Sequence, residues 1–154
     1  MISRRLFLGQ TAGLTLALAA GRRVWALPGA PQPITVFKSR TCGCCAEWVD
    51  YLKAEGFAPV VHDEEDMDAV KDNLGVPKGV RSCHTAQVGK YVVEGHVPAG
   101  DIRRLLKEMP AVAGLAAPGM PASSPGMAQP GQAHEAYEVL AFKRDGTSEV
   151  YAKH

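Results

Sequence analysis

Ile34-Thr35-Val36-Phe37-Lys38-Ser39-Arg40-Thr41-Cys42-Gly43-Cys44-Cys45-Ala46-Glu47-Trp48-Val49 is the stretch on which the reading of this chain turns. Its first four residues form a β-rich apolar run and predict a short buried strand. Residues 39–43 are polar and end on glycine, which predicts a loop. From Cys44 or Cys45 to Glu55 the pattern is helical: Cys45, Trp48, Val49 and Leu52 recur at three and four, with Glu47, Asp50 and Lys53 opposite. Gly56 stands where a helix-ending glycine belongs. The stretch therefore reads as a strand, a cysteine-bearing loop and a helix that starts on those cysteines.

Outward from there the pattern continues in the same style. Residues 58–62 predict a second strand and 66–74 a second helix, opened by an acidic run and closed by Gly75. Residues 76–82 are a loop with Pro and Gly. Residues 85–88 and 91–94 predict a hairpin with Gly89-Lys90 as its two-residue turn. Pro98-Ala99-Gly100-Asp101 opens a third helix to about Met109, with Ile102, Leu105 and Leu106 on its apolar face. The order β-α-β-α-β-β-α is an α/β fold in the thioredoxin-like arrangement, and right-handed crossover makes its first two strands parallel neighbours.

The domain plan that follows has five parts. Residues 34–110 are the core, preceded by a linker at 27–33. Residues 111–136 are a Pro/Gly/Met-rich segment containing Pro118-Gly119-Met120-Pro121 and Pro125-Gly126-Met127, and the stretch 114–131 reads as irregular. Residues 137–154 are a C-terminal β-hairpin, two alternating runs around Arg144-Asp145-Gly146, packed on the core. Residues 1–26 are a targeting segment. Ser3-Arg4-Arg5-Leu6-Phe7-Leu8 fits the twin-arginine export pattern. The apolar run behind it, interrupted by Gln10 and Thr11, is short of the roughly 20 apolar residues a membrane span needs. Val24-Trp25-Ala26 offers a cleavage site; an uncleaved N-terminal anchor is the alternative. The expectation is a periplasmic protein, off the membrane once the signal is cut.

Composition narrows the chemistry. The 154-residue chain carries a formal net charge of +1, with charges of both signs mixed along it. That excludes a nucleic-acid surface, which needs clustered Lys and Arg. Aromatic residues are few, so the core rests on Val, Leu, Ile and Ala. Three of the 4 cysteines fall at positions 42, 44 and 45, and that clustering is the most informative feature of the composition.

Thiols at a helix start ionise easily, because free N–H groups and the helix dipole favour negative charge. Thiolates this close repel one another unless a cation holds them or they are oxidised. Thiolate sets select copper(I), zinc or iron–sulfur clusters. Adjacent or nearly adjacent ligands fit a closed tetrahedral zinc site poorly, and both spacing and an exported setting disfavour iron–sulfur. Cys83, at the start of the third strand, faces the cysteine loop in this arrangement and supplies a fourth sulfur. His84 follows it, and strand alternation would send His84 to the other face unless the chain kinks. Two further readings stand beside metal binding: a pair of structural disulfides, and a thiol–disulfide oxidoreductase with Cys42 as nucleophile and Cys45 as resolving thiol. Against the last, no Pro stands immediately before the third strand.

Other residues are weighed the same way. Met120 and Met127 are soft thioethers in Pro-Gly settings, either auxiliary ligands or surface gap-fillers. His96, in Glu94-Gly95-His96-Val97-Pro98, is a ligand, a partner to one, or a loop histidine capping the third helix. Met67, Met109 and Trp48 read as core. His62 reads as part of a solvated acidic stretch, and His134 and His154 as surface.

With these residues in view, the sequence resembles the CopG-type proteins of bacterial copper resistance, a family of small exported metal-binding proteins unrelated to the plasmid repressors of the same name. The matching pieces are Thr41-Cys42-Gly43-Cys44-Cys45, Ser82-Cys83-His84-Thr85, Glu94-Gly95-His96-Val97-Pro98, the two Pro-Gly-Met segments and the hairpin to Tyr151-Ala152-Lys153-His154. The resemblance implies a thioredoxin-like fold, a periplasmic location and copper binding by Cys42, Cys44, Cys45 and Cys83, with a role in copper handling or redox. It does not by itself imply turnover. The expectation is a protein that binds one or more copper(I) ions, with His84, His96, Met120 and Met127 as secondary ligands. Copper ions and a copper efflux or copper-oxidase protein are its expected partners.

Overall fold

The structure, a computed structural model, describes residues 30–154. The expected export signal therefore lies outside the described residues. In chain order the elements are β1 (Gln32–Lys38), α1 (Gly43–Ala54), β2 (Phe57–Asp63), α2 (Met67–Leu74), a single 3₁₀ turn (Lys78–Val80), β3 (His84–Val88), β4 (Tyr91–Gly95), α3 (Ala99–Glu108), β5 (Gly114–Ala117), β6 (Glu138–Phe142) and β7 (Ser148–Lys153). Through α3 this is the expected β-α-β-α-β-β-α order.

The strands form one seven-stranded sheet in the order β2-β1-β3-β4-β5-β6-β7. β1 runs parallel to β2 and β4 parallel to β5, each pair joined by a helical crossover; every other neighbour is antiparallel. Alternation along the strands supplies both faces. Ile34, Val36, Ala86, Val93, Leu115 and Ala141 pack against Trp48, Val49 and Leu52 of α1 and Ile102 and Leu105 of α3. Val92, Ala116 and Phe142 point the other way and meet Val76 and Val80.

Local signals set the helix ends. Cys42 is the N-cap of α1 in an extended conformation and makes no side-chain cap bond. Asp66 caps α2 by accepting the Ala69 N–H at 2.9 Å, and Gly75 closes that helix at φ +69°. The C-terminal hairpin is pinned to α3: Arg104 stacks over the Tyr151 ring at 3.8 Å, and His154 Nε2 lies 2.7 Å from Asp101 Oδ2.

Four expectations are corrected. The stretch 114–131 is not all irregular, because Gly114–Ala117 is a fully buried central strand. Gly-Leu-Ala-Ala has weak strand propensity; what makes it a strand is pairing on both sides, and a Cβ at Gly114 would collide with the Val92 carbonyl. The linker is shorter than expected, since β1 already begins at Gln32. β3 begins at His84, which leaves Cys83 just ahead of the strand. Met109 is not core: it is 65% exposed and ends α3 in the left-handed conformation, φ +49°. Among the described residues no helix is long and apolar enough to cross a membrane.

Burial of β5 has a measurable consequence. Leu115→Ala, at 0% exposure, is expected to cost about 2–5 kcal/mol in denaturant unfolding, whereas Val150→Ala on the outer strand stays within about 0.5 kcal/mol. Equal, small effects would show that β5 is not part of the core.

Candidate metal centre

Two stretches of backbone meet at one end of the sheet. The antiparallel register between β1 and β3 pairs Lys38 with His84, so the loop leaving β1 and the segment entering β3 emerge side by side. The first carries Cys42, Cys44 and Cys45 into the opening turn of α1; the second carries Cys83. One sulfur from each of the four cysteines lies within 4.8 Å of the others. The expected convergence is thus present.

The oxidation state is mixed. Cys42 and Cys45 are joined by a disulfide with a Cα separation of 5.4 Å, while Cys44 and Cys83 are free and half-buried. Cys42 is half-buried and Cys45 fully buried. Cys44 Sγ lies 3.6 Å from Cys42 Sγ. A pair of structural disulfides is therefore not what the chain forms.

Cys83 belongs also to a second convergent group with His84 and His96. Its Sγ lies 3.2 Å from His84 Nδ1 and 3.2 Å from His96 Nε2. The chain does kink, so Cys83 and His84 face the same space despite being neighbours. Both rings are 0% exposed. His84 packs on Trp48, ring centroids 4.4 Å apart, and meets His96 edge-on at 4.9 Å. Trp48 is held in turn by donating to the Val97 carbonyl at 3.0 Å.

The hydrogen bonds assign the tautomers. His96 Nδ1 is 2.8 Å from the Pro125 carbonyl, which only accepts, so Nδ1 carries the hydrogen and Nε2 turns a lone pair toward Cys83. The Cys83 thiol then donates to His96 Nε2, and His84 Nδ1–H donates to the Cys83 sulfur. His84 Nε2 is left buried with no hydrogen-bond partner. Burial pushes the Cys83 thiol up to about 11, with the neighbouring Cys44 adding to the shift. Burial also holds His84 well below its ordinary value, reinforced by His96 and Lys71, and it lowers His96. Both imidazoles are accordingly neutral at neutral pH, the form in which histidine binds metals.

The Pro/Gly/Met-rich segment reaches this site through its backbone. Gly126, at φ +81°, packs on α1, where a Cβ would lie 2.7 Å from Trp48 N. That close approach delivers the Pro125 carbonyl to His96. Met127 is half-buried and Met120 is 43% exposed. The remaining histidines stand apart: His62 is exposed and stacks on Phe37 at 5.4 Å, His134 is exposed, and His154 pairs with Asp101.

Sequence reasoning missed the buried ion pair behind the Ser82-Cys83 segment. Glu94 and Lys71 form a buried ion pair at 2.5 Å, and Glu94 also accepts the Ser82 N–H at 2.6 Å. A lone carboxylate in Tyr91-Val92-Val93-Glu94-Gly95 was the available signal, since an unpaired charge does not enter a buried strand. The donor set as a whole, sulfur with neutral imidazole, suits a soft or borderline metal ion and would suit a hard cation poorly.

The chain is similar to known proteins in sequence and fold. The family model described as "Protein of unknown function, DUF411" matches residues 80–127, which span Cys83, His84, His96 and Gly126. Two solved structures named "Copper resistance protein copG", Form 1 and Form 2, match with TM-scores of 0.75 and 0.74. Each is 45% identical in sequence, with 80% of this chain and 98% of the other covered. No curated protein matches.

The Pro125 contact can be checked directly. In metal-free protein, ¹⁵N correlation spectra of the imidazoles are expected to show His96 protonated at Nδ1. Gly126→Ala is expected to displace the carbonyl and shift His96 toward the Nε2–H form. An unchanged His96 signal in that variant would remove Pro125 from the site.

Proposed function

We propose a function from a premise that the likeness secures: this chain belongs to the CopG family of copper resistance proteins. It is a periplasmic copper(I)-binding protein that takes part in copper resistance, and copper is its cargo. The twin-arginine segment at Ser3-Arg4-Arg5-Leu6-Phe7-Leu8 carries it out of the cytoplasm. The observation that supports the reading is the convergence of Cys42, Cys44, Cys45 and Cys83 within 4.8 Å, with His84 and His96 against Cys83.

With the disulfide closed, the sulfurs that remain free are those of Cys44 and Cys83. Reduction by an external dithiol, which is itself oxidised to a disulfide, supplies two electrons and two protons and releases the Cys42 and Cys45 thiols. Copper(I) entering such a set displaces the thiol protons, because the thiolate is the ligand. Four thiolates in this space can bridge several copper(I) ions. His84 at the start of β3 and His96 just past β4 complete the set, and Met120 and Met127 add thioethers from the Pro/Gly/Met-rich segment. Sequestration, transfer to an efflux or copper-oxidase partner, and cycling between copper(I) and copper(II) all use this one site.

A second reading has an observation in its favour. A half-buried Cys42 bonded to a fully buried Cys45 at a helix start is the layout of a thiol–disulfide oxidoreductase, with Cys42 as the attacked sulfur. The free Cys44, 3.6 Å from Cys42, would modulate it.

Titration of the reduced protein with copper(I) under nitrogen separates these. Binding is expected to be abolished in a Cys42/Cys44/Cys45/Cys83→Ser quadruple variant and weakened in the disulfide form; wild-type binding by the quadruple variant would end the copper reading. Insulin reduction, run with and without a copper chelator, is expected to show no metal-independent turnover. Turnover unaffected by the chelator would favour the oxidoreductase.

A further inference from the structure

Cys83 faces its two histidines against the run of the strand. His84 packs on Trp48 and Ala86 lies in the same core, while Thr85 points to the opposite face, where it donates to Glu94 Oε2 at 2.7 Å. Strict alternation would put Cys83 with Thr85, on the Glu94 side of the sheet. Its sulfur is instead on the other side, 3.2 Å from both His84 Nδ1 and His96 Nε2. The alternation therefore breaks between Cys83 and His84.

The break coincides with the end of a ladder. Pairing of β3 with β4 runs from Val88↔Tyr91 to Thr85↔Glu94 and stops there. Beyond it the Ser82 N–H is taken by a side chain, Glu94 Oε1, at 2.6 Å. The same oxygen accepts from Lys71 Nζ at 2.5 Å, and Lys71 also donates to Thr85 Oγ1 at 2.8 Å. The two side chains of the ion pair are 5% and 0% exposed. Burial raises the Glu94 carboxyl, and the Lys71 ammonium opposes that shift. The space for the bend comes from Gly95, at φ +72°, where a Cβ would lie 2.5 Å from Ser82 Oγ and 2.8 Å from the Ala117 carbonyl.

We propose that Glu94 is a positioning residue for the metal centre: its carboxylate, balanced by Lys71 from α2, replaces the missing ladder partner of Ser82 and holds the bend that turns Cys83 toward His84 and His96. Glu94 touches no ligand. It acts through the backbone from the opposite face of the sheet, as outer partners of metal ligands do. The inference rests on the reading of Cys83 as a copper ligand, and it adds a residue pair that this reading does not contain.

The decisive variant is Lys71→Met/Glu94→Leu, which removes both charges together and leaves neither buried alone; such replacements commonly keep or raise stability. Three readouts are taken on the purified protein: amide exchange at Ser82, alkylation of Cys83 by iodoacetamide without metal, and copper(I) affinity. With the unfolding midpoint retained, exchange and alkylation are each expected to speed up about tenfold or more, and affinity to fall about 10- to 100-fold. A folded double variant with wild-type exchange and alkylation overturns the proposal. Should that variant fail to fold, Lys71→Met/Glu94→Val replaces it. Valine suits a strand and offers the Ser82 N–H no acceptor, so the same acceleration is expected and wild-type rates overturn the proposal. Failure of the wild type to bind copper(I) would end the functional reading alone, because exchange and alkylation are read without metal.

Discussion

The register between β1 and β3 is the constraint on which the site depends. Pairing of Lys38 with His84 is what sets the cysteine loop beside the Ser82-Cys83 segment. A slip of two residues would preserve every inward-facing side chain, yet carry Cys83 about 7 Å along the strand. Nothing in the sulfur chemistry fixes that register. Packing fixes it, through Ile34 and Val36 of β1 and Ala86 and Val88 of β3 against α1 and α3. The metal chemistry is thus positioned by apolar residues that carry none of it.

Around the sulfurs the protein assembles groups that are neutral or balanced. The two imidazoles are kept uncharged by burial, Cys83 is kept protonated by burial, and the buried Glu94 carboxylate is matched by Lys71. A metal-free site therefore contains little uncompensated charge, which is how it stays buried without a cation. Entry of a metal changes that balance by releasing thiol protons. The unpartnered His84 Nε2 is a cost left inside the core, accepted next to Trp48 where the ring makes extensive contact.

Much of this was legible in the sequence. The periodicity of Cys45, Trp48, Val49 and Leu52 gave α1, and Gly56 and Gly75 marked helix ends that the structure places where expected. The cysteine spacing gave the site and Cys83 its fourth sulfur. What was not legible depended on long-range pairing. β5 is a strand because β4 and β6 flank it, while Gly-Leu-Ala-Ala alone says little. The kink at Cys83 depends on Glu94, which pairs with β3 from across a hairpin. His96 could not be assigned because its partner, the Pro125 carbonyl, lies 29 positions away in a segment that reads as structureless.

The Cys42–Cys45 bond spans a sequence separation of 3 within the first turn of one helix. A crosslink that closes so short a loop removes little freedom from the unfolded chain, since loop entropy grows with the length enclosed. Its ends are held in register by α1, and α1 is held by Trp48, Val49 and Leu52 in the core. Opening it thus leaves the scaffold in place: the architecture is indifferent to electron count, and the sulfurs can change their chemical state without a folding transition.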